Sequence, residues 1–265
     1  MNQLAHSKDA FYLAKEYIDS DASILGRMPG VPSGIFEIDR QIGGWQKGDL
    51  ILLESMPAGG KTALATHFAV EAAKSGHYVL FFTLKMAAGK LFERIVAAEA
   101  GVGYSKIKSG NLTEQERYFV EQAARRLGCL RGRLKIIDEV KSDLQIEEVV
   151  KGIKASESLD LVFIDYLQLL EETDVNKDCM LQNVNGIKAL SKKAEVPVVV
   201  LSQIAQSQST GKIDGVADII LRIQDGRTSD VKKLTIRKSS RGSTAISSYG
   251  FNAESLLVQE IARLT

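Results

Sequence analysis

The 265-residue sequence predicts an α/β domain: a mainly parallel twisted sheet flanked by helices, with extra antiparallel strands towards the C-terminal end. Three observations predict it. Short apolar runs alternate with segments long enough for crossover helices. Several of those runs are apolar on consecutive positions, as expected of strands buried on both faces of a parallel sheet. A Gly-rich turn, SMPAGGKT (55–62), joins one such run to one such helix.

The elements follow in order. Residues 8–19 read as a short amphipathic helix, with Phe11, Leu13, Ala14 and Ile18 near helical spacing. The Gly- and Pro-rich stretch GRMPGVPSG (26–34) reads as a linker. Residues 1–28 are therefore expected to form an arm ahead of a single domain over 29–265, packed either on its own domain or on a neighbouring subunit. Strands are expected at LILLES (50–55), VLFFTL (79–84), LKIID (134–138), LVFID (161–165), VPVVVLSQ (196–203) and DIILRI (218–223). TALATHFAVEAAKSG and QNVNGIKALSKKAEV supply crossover helices, and KKLTIRK (232–238) and SSYGF (247–251) suggest the extra strands.

Composition narrows the function classes. Apolar content of 45% and charged content of 25% are those of an ordinary globular protein. A formal net charge of +1 provides no global attraction for nucleic acid or acidic membrane, so any DNA-binding surface must be local. Cys129 and Cys179 are far apart and lack His or Cys partners, which fits reduced thiols better than a zinc site or a disulfide framework. No stretch has signal-peptide character or transmembrane length, so a cytoplasmic protein without a membrane partner is expected.

The turn SMPAGGKT has the chemistry of a phosphate-binding loop. Such a loop aims successive backbone N–H groups and a helix N-terminus at one anion. Residues Ser55, Pro57, Ala58, Gly59, Gly60, Lys61, Thr62 and Ala63 would form the cradle. Gly60 lets the backbone approach, Lys61 reaches the β and γ oxygens of ATP, and Thr62 offers a hydroxyl to Mg²⁺. Ser55 stands where the usual pattern has glycine, a change that is costly only if φ there must be positive. In LDLVFIDYLQLL a buried strand ends on Asp165, at the edge where ligands bind in open α/β sheets. An acid there either caps the next turn or holds Mg²⁺, and the phosphate loop upstream favours the metal.

At this point the sequence resembles the ATPase domain of the bacterial replicative DNA helicase family, DnaB, whose fold is RecA-like. GVPSGIFEIDRQIGGWQKGDLILL, SMPAGGKT with Pro57, FFTLKM, DLVFIDYLQLL, IKALSKKAEVPVVVLSQI and GKIDGVADIIL occur in the family's order and approximate spacing. The resemblance implies ATP and Mg²⁺ as cofactors, a hexameric ring around single-stranded DNA, and nucleotide at each subunit interface. It implies Lys61 and Thr62 on the phosphates and metal, and Asp165 as the metal-side acid. Gln203 would be the strand-end residue that senses γ-phosphate, unless it is only a backbone-bonded amide. Residues 8–19 would correspond to the family's linker helix, with no counterpart of the primase-interacting domain before them.

Three positions depart from that pattern. Lys85 stands where the family carries the glutamate that prepares the attacking water, a role that a charged lysine cannot take. Loss of a positioned base typically costs about 10²–10⁴-fold in rate; Glu54 or Glu139 is an open substitute. The segment AQSQST is short and uncharged where the family has a basic DNA loop, leaving Gln208, Gly211 and Lys212 as DNA contacts, with a plain polar loop as the other reading. In RKSSRGST, Lys238 matches a residue that reaches into the neighbouring subunit's site, while Arg241 lies one position beyond the expected arginine. It serves only if the turn shifts register; a solvated hairpin is the alternative. The resemblance implies an ATP-dependent helicase acting on single-stranded DNA. The alternative is a hydrolysis-impaired nucleotide-binding relative that acts as an assembly or regulatory partner.

Overall fold

The computed structural model describes residues 29–140, 142–165, 179–203, 211–242 and 246–260. The predicted arm helix (8–19) and Gln208 lie outside them. At the centre runs β1 (Leu50–Ser55), the LILLES run, with all six positions buried. Its neighbours are β5 (Val198–Gln203) and β6 (Ile219–Asp225), both parallel to it. Beyond β5 lie β4 (Leu161–Asp165), β2 (Val79–Thr83) and β3 (Leu134–Ile137), again parallel. On the other side β7 (Val231–Ser239), β8 (Ile246–Phe251) and β9 (Val258–Glu260) continue the sheet antiparallel. The order is β3-β2-β4-β5-β1-β6-β7-β8-β9. The predicted fold class is thus the observed one. Boundaries differ by a residue or two, and β9 has no counterpart among the predicted strands.

Helices cover both faces. On one, α1 (Phe36–Ile42), α2 (Lys61–Lys74), α3 (Ala88–Ala100) and α5 (Glu114–Gly128) bury Ile38, Phe68, Leu91, Ile95 and Leu127 against Ile51, Leu53, Phe81 and Phe163. Between α3 and α5 lies the short α4 (Tyr104–Ser109). On the other face, α6 (Asp143–Ser156), α7 (Cys179–Ala194) and α8 (Gly211–Val216) pack Ile146, Val184, Ile187 and Ile213 against Leu50, Leu52, Val198 and Val200. Alternate residues of β1 thus feed opposite cores, as the two-residue period of a strand requires. At about 25 cal/mol per Å² of apolar surface removed from water, these two layers supply the main drive for folding. Helix α5 starts where its sequence says it should. The Thr113 hydroxyl accepts from Glu116 N–H, and the Glu116 carboxylate accepts from Thr113 N–H, a reciprocal cap worth about 1 kcal/mol.

The two ends of the described domain meet. The Glu260 carboxylate, on β9, accepts from the backbone N–H groups of Phe36 (3.2 Å) and Glu37 (3.3 Å) at the start of α1. Cys129, just past α5, is an exposed free thiol. No helix among the described residues is long and apolar enough to cross a membrane.

Candidate phosphate and metal site

Strands β1, β4 and β5 end at the same edge of the sheet, and the candidate residues gather there. Ser55 ends β1 and is in register with Gln203, the exposed last residue of β5. Asp165 ends β4 in register with Thr83 of β2. From Ser55 the chain turns through Met56–Gly60 into α2. The turn is closed by Gly59 N–H donating to Met56 O at 3.1 Å, and Gly60 sits at φ 88° as the N-cap. Left-handed backbone falls on Gly60 and on Ala58 (φ 58°), not on Ser55. The serine in the glycine's place is therefore unstrained, and the alanine three residues on carries the cost, roughly 1 kcal/mol.

The two loop glycines serve different needs, space at Gly59 and left-handed backbone at Gly60. A Cβ on Gly59 would come within 2.5 Å of Ser55 Oγ, and one on Gly60 would meet the Phe251 ring at 3.6 Å. The bare backbone here and the unpaired N–H groups of the first turn of α2 make an anion cradle.

Lys61 Nζ donates to Ser55 O (3.1 Å), Ser55 Oγ (3.0 Å) and Met56 O (3.2 Å), so the ammonium lies across the mouth of the loop. Burial lowers its pKa to about 8; Asp165 opposes the lowering and Lys85 adds to it. Thr62 Oγ1 donates to Asp165 Oδ2 at 2.9 Å. Burial raises the Asp165 carboxyl above its usual range, countered by the Thr62 hydrogen bond and by the charges of Lys85, Lys61 and Arg94. A hydroxyl and a carboxylate side by side form a hard-oxygen donor pair suited to Mg²⁺, which keeps most of its shell as water and phosphate oxygen. Among the described residues no cluster of three or more His, Cys, Asp or Glu competes for a metal.

Lys85 comes to the same place. Leu84 N–H donates to Asp165 O at 2.7 Å, and the Thr83 hydroxyl donates to Met86 O at 2.9 Å, so Lys85 is held in a turn beside Asp165. The glutamates proposed to replace a base do not. Glu54 points to the opposite face of the sheet, where its Oε2 accepts from Arg222 at 2.9 Å and Arg237 at 3.0 Å. That carboxylate is committed to two guanidiniums on the face away from Lys61. Glu139 is exposed beyond β3, at the far side of β2 and β4.

Lys238 and Arg241 lie elsewhere. Residues 238–241 flank the start of β6 and the residue before β1, at the opposite edge of the sheet. The six residues of β1 separate them from their own phosphate loop by about 20 Å. Lys238 Nζ donates to the carbonyls of Asp214 (2.7 Å) and Ala217 (2.6 Å), capping the C-terminal end of α8. Arg241 pairs with Asp49 at 2.5 Å. The register shift lies within β7, ahead of Lys238, and leaves the spacing from Lys238 to Arg241 unchanged. A bulge opposite Ile220/Leu221 leaves Arg237 as an extra residue, so Arg237 and Lys238 both reach α8. Gly211 and Lys212 open α8.

The sequence pattern does not single out Arg94, Phe251, Arg222 or Arg237. One signal for the last two was present: Glu54 is a charged residue in a fully buried run and demands a counter-charge.

Residues 30–255 match the DnaB-like helicase C terminal domain family. The replicative DNA helicase DnaC of Bacillus subtilis (strain 168) is 31% identical over 207 residues, covering 75% of this chain and 45% of that protein. The replicative DNA helicase DnaB of Geobacillus stearothermophilus is 29% identical over 246 residues, covering 82% and 53%. The chain thus spans about half the length of these curated relatives. Among solved structures, one described as an ATPase domain superposes with a TM-score of 0.88 at 21% identity, covering 97% of this chain and all of that one. A DnaB-like replicative helicase described with its primase interactions gives 0.85 at 22%, covering 97% and 68%. The RadB recombinase gives 0.57 at 14%, covering 88% and 100%. These structural likenesses carry the RecA-like fold.

Proposed function

The chain belongs to the DnaB-like helicase C-terminal domain family, and from that membership and the geometry of the loop we propose that it is an ATP- and Mg²⁺-dependent motor domain acting on single-stranded DNA. The observation that carries this reading is the 2.9 Å contact of Thr62 with Asp165 beside the glycine-lined turn. It unites a phosphate cradle and a hard metal-binding pair at one strand edge.

Lys61 would swing from the Ser55 and Met56 oxygens onto the β- and γ-phosphates. Thr62 and Asp165 would hold Mg²⁺, which supplies charge neutralisation on those phosphates when bound. Hydrolysis would be in-line attack of water on the γ-phosphate, a reaction governed mainly by positioning and electrostatics. Gln203, in register with Ser55, is suited to report the state of that phosphate to the segment after β5. Gly211 and Lys212, just beyond that segment, together with Gln208, would contribute contacts to the DNA backbone, which carry affinity and little sequence information.

The remote position of Lys238 and Arg241 supports assembly of subunits, as a hexameric ring, in which one chain's pair serves its neighbour's nucleotide. Residues 1–28 would act as a linking arm ahead of the domain at 29–265, and the protein would work in the cytoplasm. ATPase assays with and without single-stranded DNA test the reading. Turnover stimulated by DNA and abolished by Lys61→Ala is expected; no nucleotide binding by the unaltered chain would overturn it.

A further inference from the structure

Lys85 is tied to the metal-side carboxylate by backbone geometry. Thr83 and Asp165 are in register across β2 and β4, Leu84 N–H bonds to Asp165 O, and the Thr83 hydroxyl closes the turn onto Met86 O. Lys85 is exposed at this strand edge, open to a ligand arriving from solvent. Its charge acts on both Asp165 and Lys61, and Arg94 adds a third positive group acting on Asp165. Lys61 of the loop and Lys85 of this turn thus both stand at the strand edge where the phosphates are proposed to lie, while Arg94 stacks on the Tyr104 ring.

That surplus has a direct consequence. A polyphosphate at a site of this kind ordinarily needs a divalent cation, because one loop lysine does not offset its charge. A second ammonium beside the phosphates adds Coulomb attraction, which solvent screening and side-chain ordering reduce without cancelling. We infer that Lys85, with Lys61, offsets the phosphate charge in place of a divalent cation, so that this chain binds nucleoside triphosphate without Mg²⁺. The inference rests on the ATP-site reading above and concerns binding alone; the metal is still required for turnover.

Equilibrium titration of a fluorescent ribose-labelled ATP analogue tests it, at fixed ionic strength, in Mg²⁺ and in excess EDTA. The full chain is expected to lose less than about tenfold in affinity when Mg²⁺ is removed, and Lys85→Glu about a hundredfold or more. Lys85→Ala is expected between them, and a thermal melt of each variant checks that it is folded at the temperature of the titration. An equally large loss in the parent and in Lys85→Glu would overturn the inference while leaving the ATP site intact. Absence of binding in both media would overturn the ATP-site reading, and this inference with it.

Discussion

Thr62 Oγ1 and Asp165 Oδ2 lie 2.9 Å apart although 103 positions separate them in the chain. The contact joins the first turn of α2 to the end of β4, so the proposed phosphate cradle and the proposed metal-side acid are held by one hydrogen bond between buried strand and helix. Thr62→Ala leaves a buried carboxylate without its hydroxyl partner. We expect a loss of about 1–2 kcal/mol in stability by urea denaturation. The Mg²⁺ concentration for half-maximal ATP turnover should rise about 10–100-fold. An unchanged Mg²⁺ requirement would remove Thr62 from the metal site.

Lys61 is expected to make nucleotide binding proton-linked. With its pKa held to about 8 by burial, the ammonium is half deprotonated at that pH in the free protein. A polyphosphate beside it favours the charged form, so binding draws a proton in. Calorimetric titration at about pH 8, in buffers of differing ionisation enthalpy, should show uptake of up to roughly half a proton per site, falling towards zero near pH 6. Proton release instead of uptake would contradict the geometry. Lys61→Ala should abolish both the binding and the linkage.

Lys238 and Arg241 are expected to act across a subunit boundary. Lys61→Ala and Lys238→Ala should each be nearly inactive alone while remaining assembled. Mixed in equal amounts, they place an intact loop opposite an intact Lys238 at roughly a quarter of interfaces, provided each interface pairs the loop of one subunit with the finger of the next. ATPase measured on the mixture should recover accordingly. No recovery, with mixed assembly demonstrated, would mean that Lys238 serves its own chain only or merely caps α8.

Glu54 is predicted to matter for folding and not for proton transfer. Its Oε2 binds both Arg222 and Arg237, and its Oε1 is buried without a partner among the described residues. Glu54→Gln weakens two charge-assisted bonds and should cost about 1–3 kcal/mol in denaturant unfolding. At a temperature where the variant is folded, its ATPase rate should stay within a few-fold of the parent. A loss in the range of about 10²–10⁴-fold would instead assign it the role of a base.

Much of this was legible because the informative patterns are local. LILLES, LVFID and SMPAGGKT each carry their own meaning, and Asp165 is placed by the strand that delivers it. Lys85 stood out only against the family pattern, yet its position one residue past Leu84 brings it beside Asp165 as strand pairing requires. What was not legible depends on distant partners. Glu54 finds its counter-charges 168 and 183 residues away. The shared orientation of Arg237 and Lys238 comes from a bulge defined by pairing with β6, which periodicity within β7 cannot reveal. Likewise, Ser55 drew suspicion as the missing glycine, whereas the left-handed backbone belongs to Ala58.

The grip of Glu260 on the first turn of α1 has a mechanical meaning. Tension applied at the two ends of the described domain would first load this clasp and the edge strand β9, because the polypeptide leaves and returns at one corner. The central strand lies off that line of force, whereas Phe251, paired with Val258 of β9, packs beside Gly60 and links the clasp to the turn that carries Lys61.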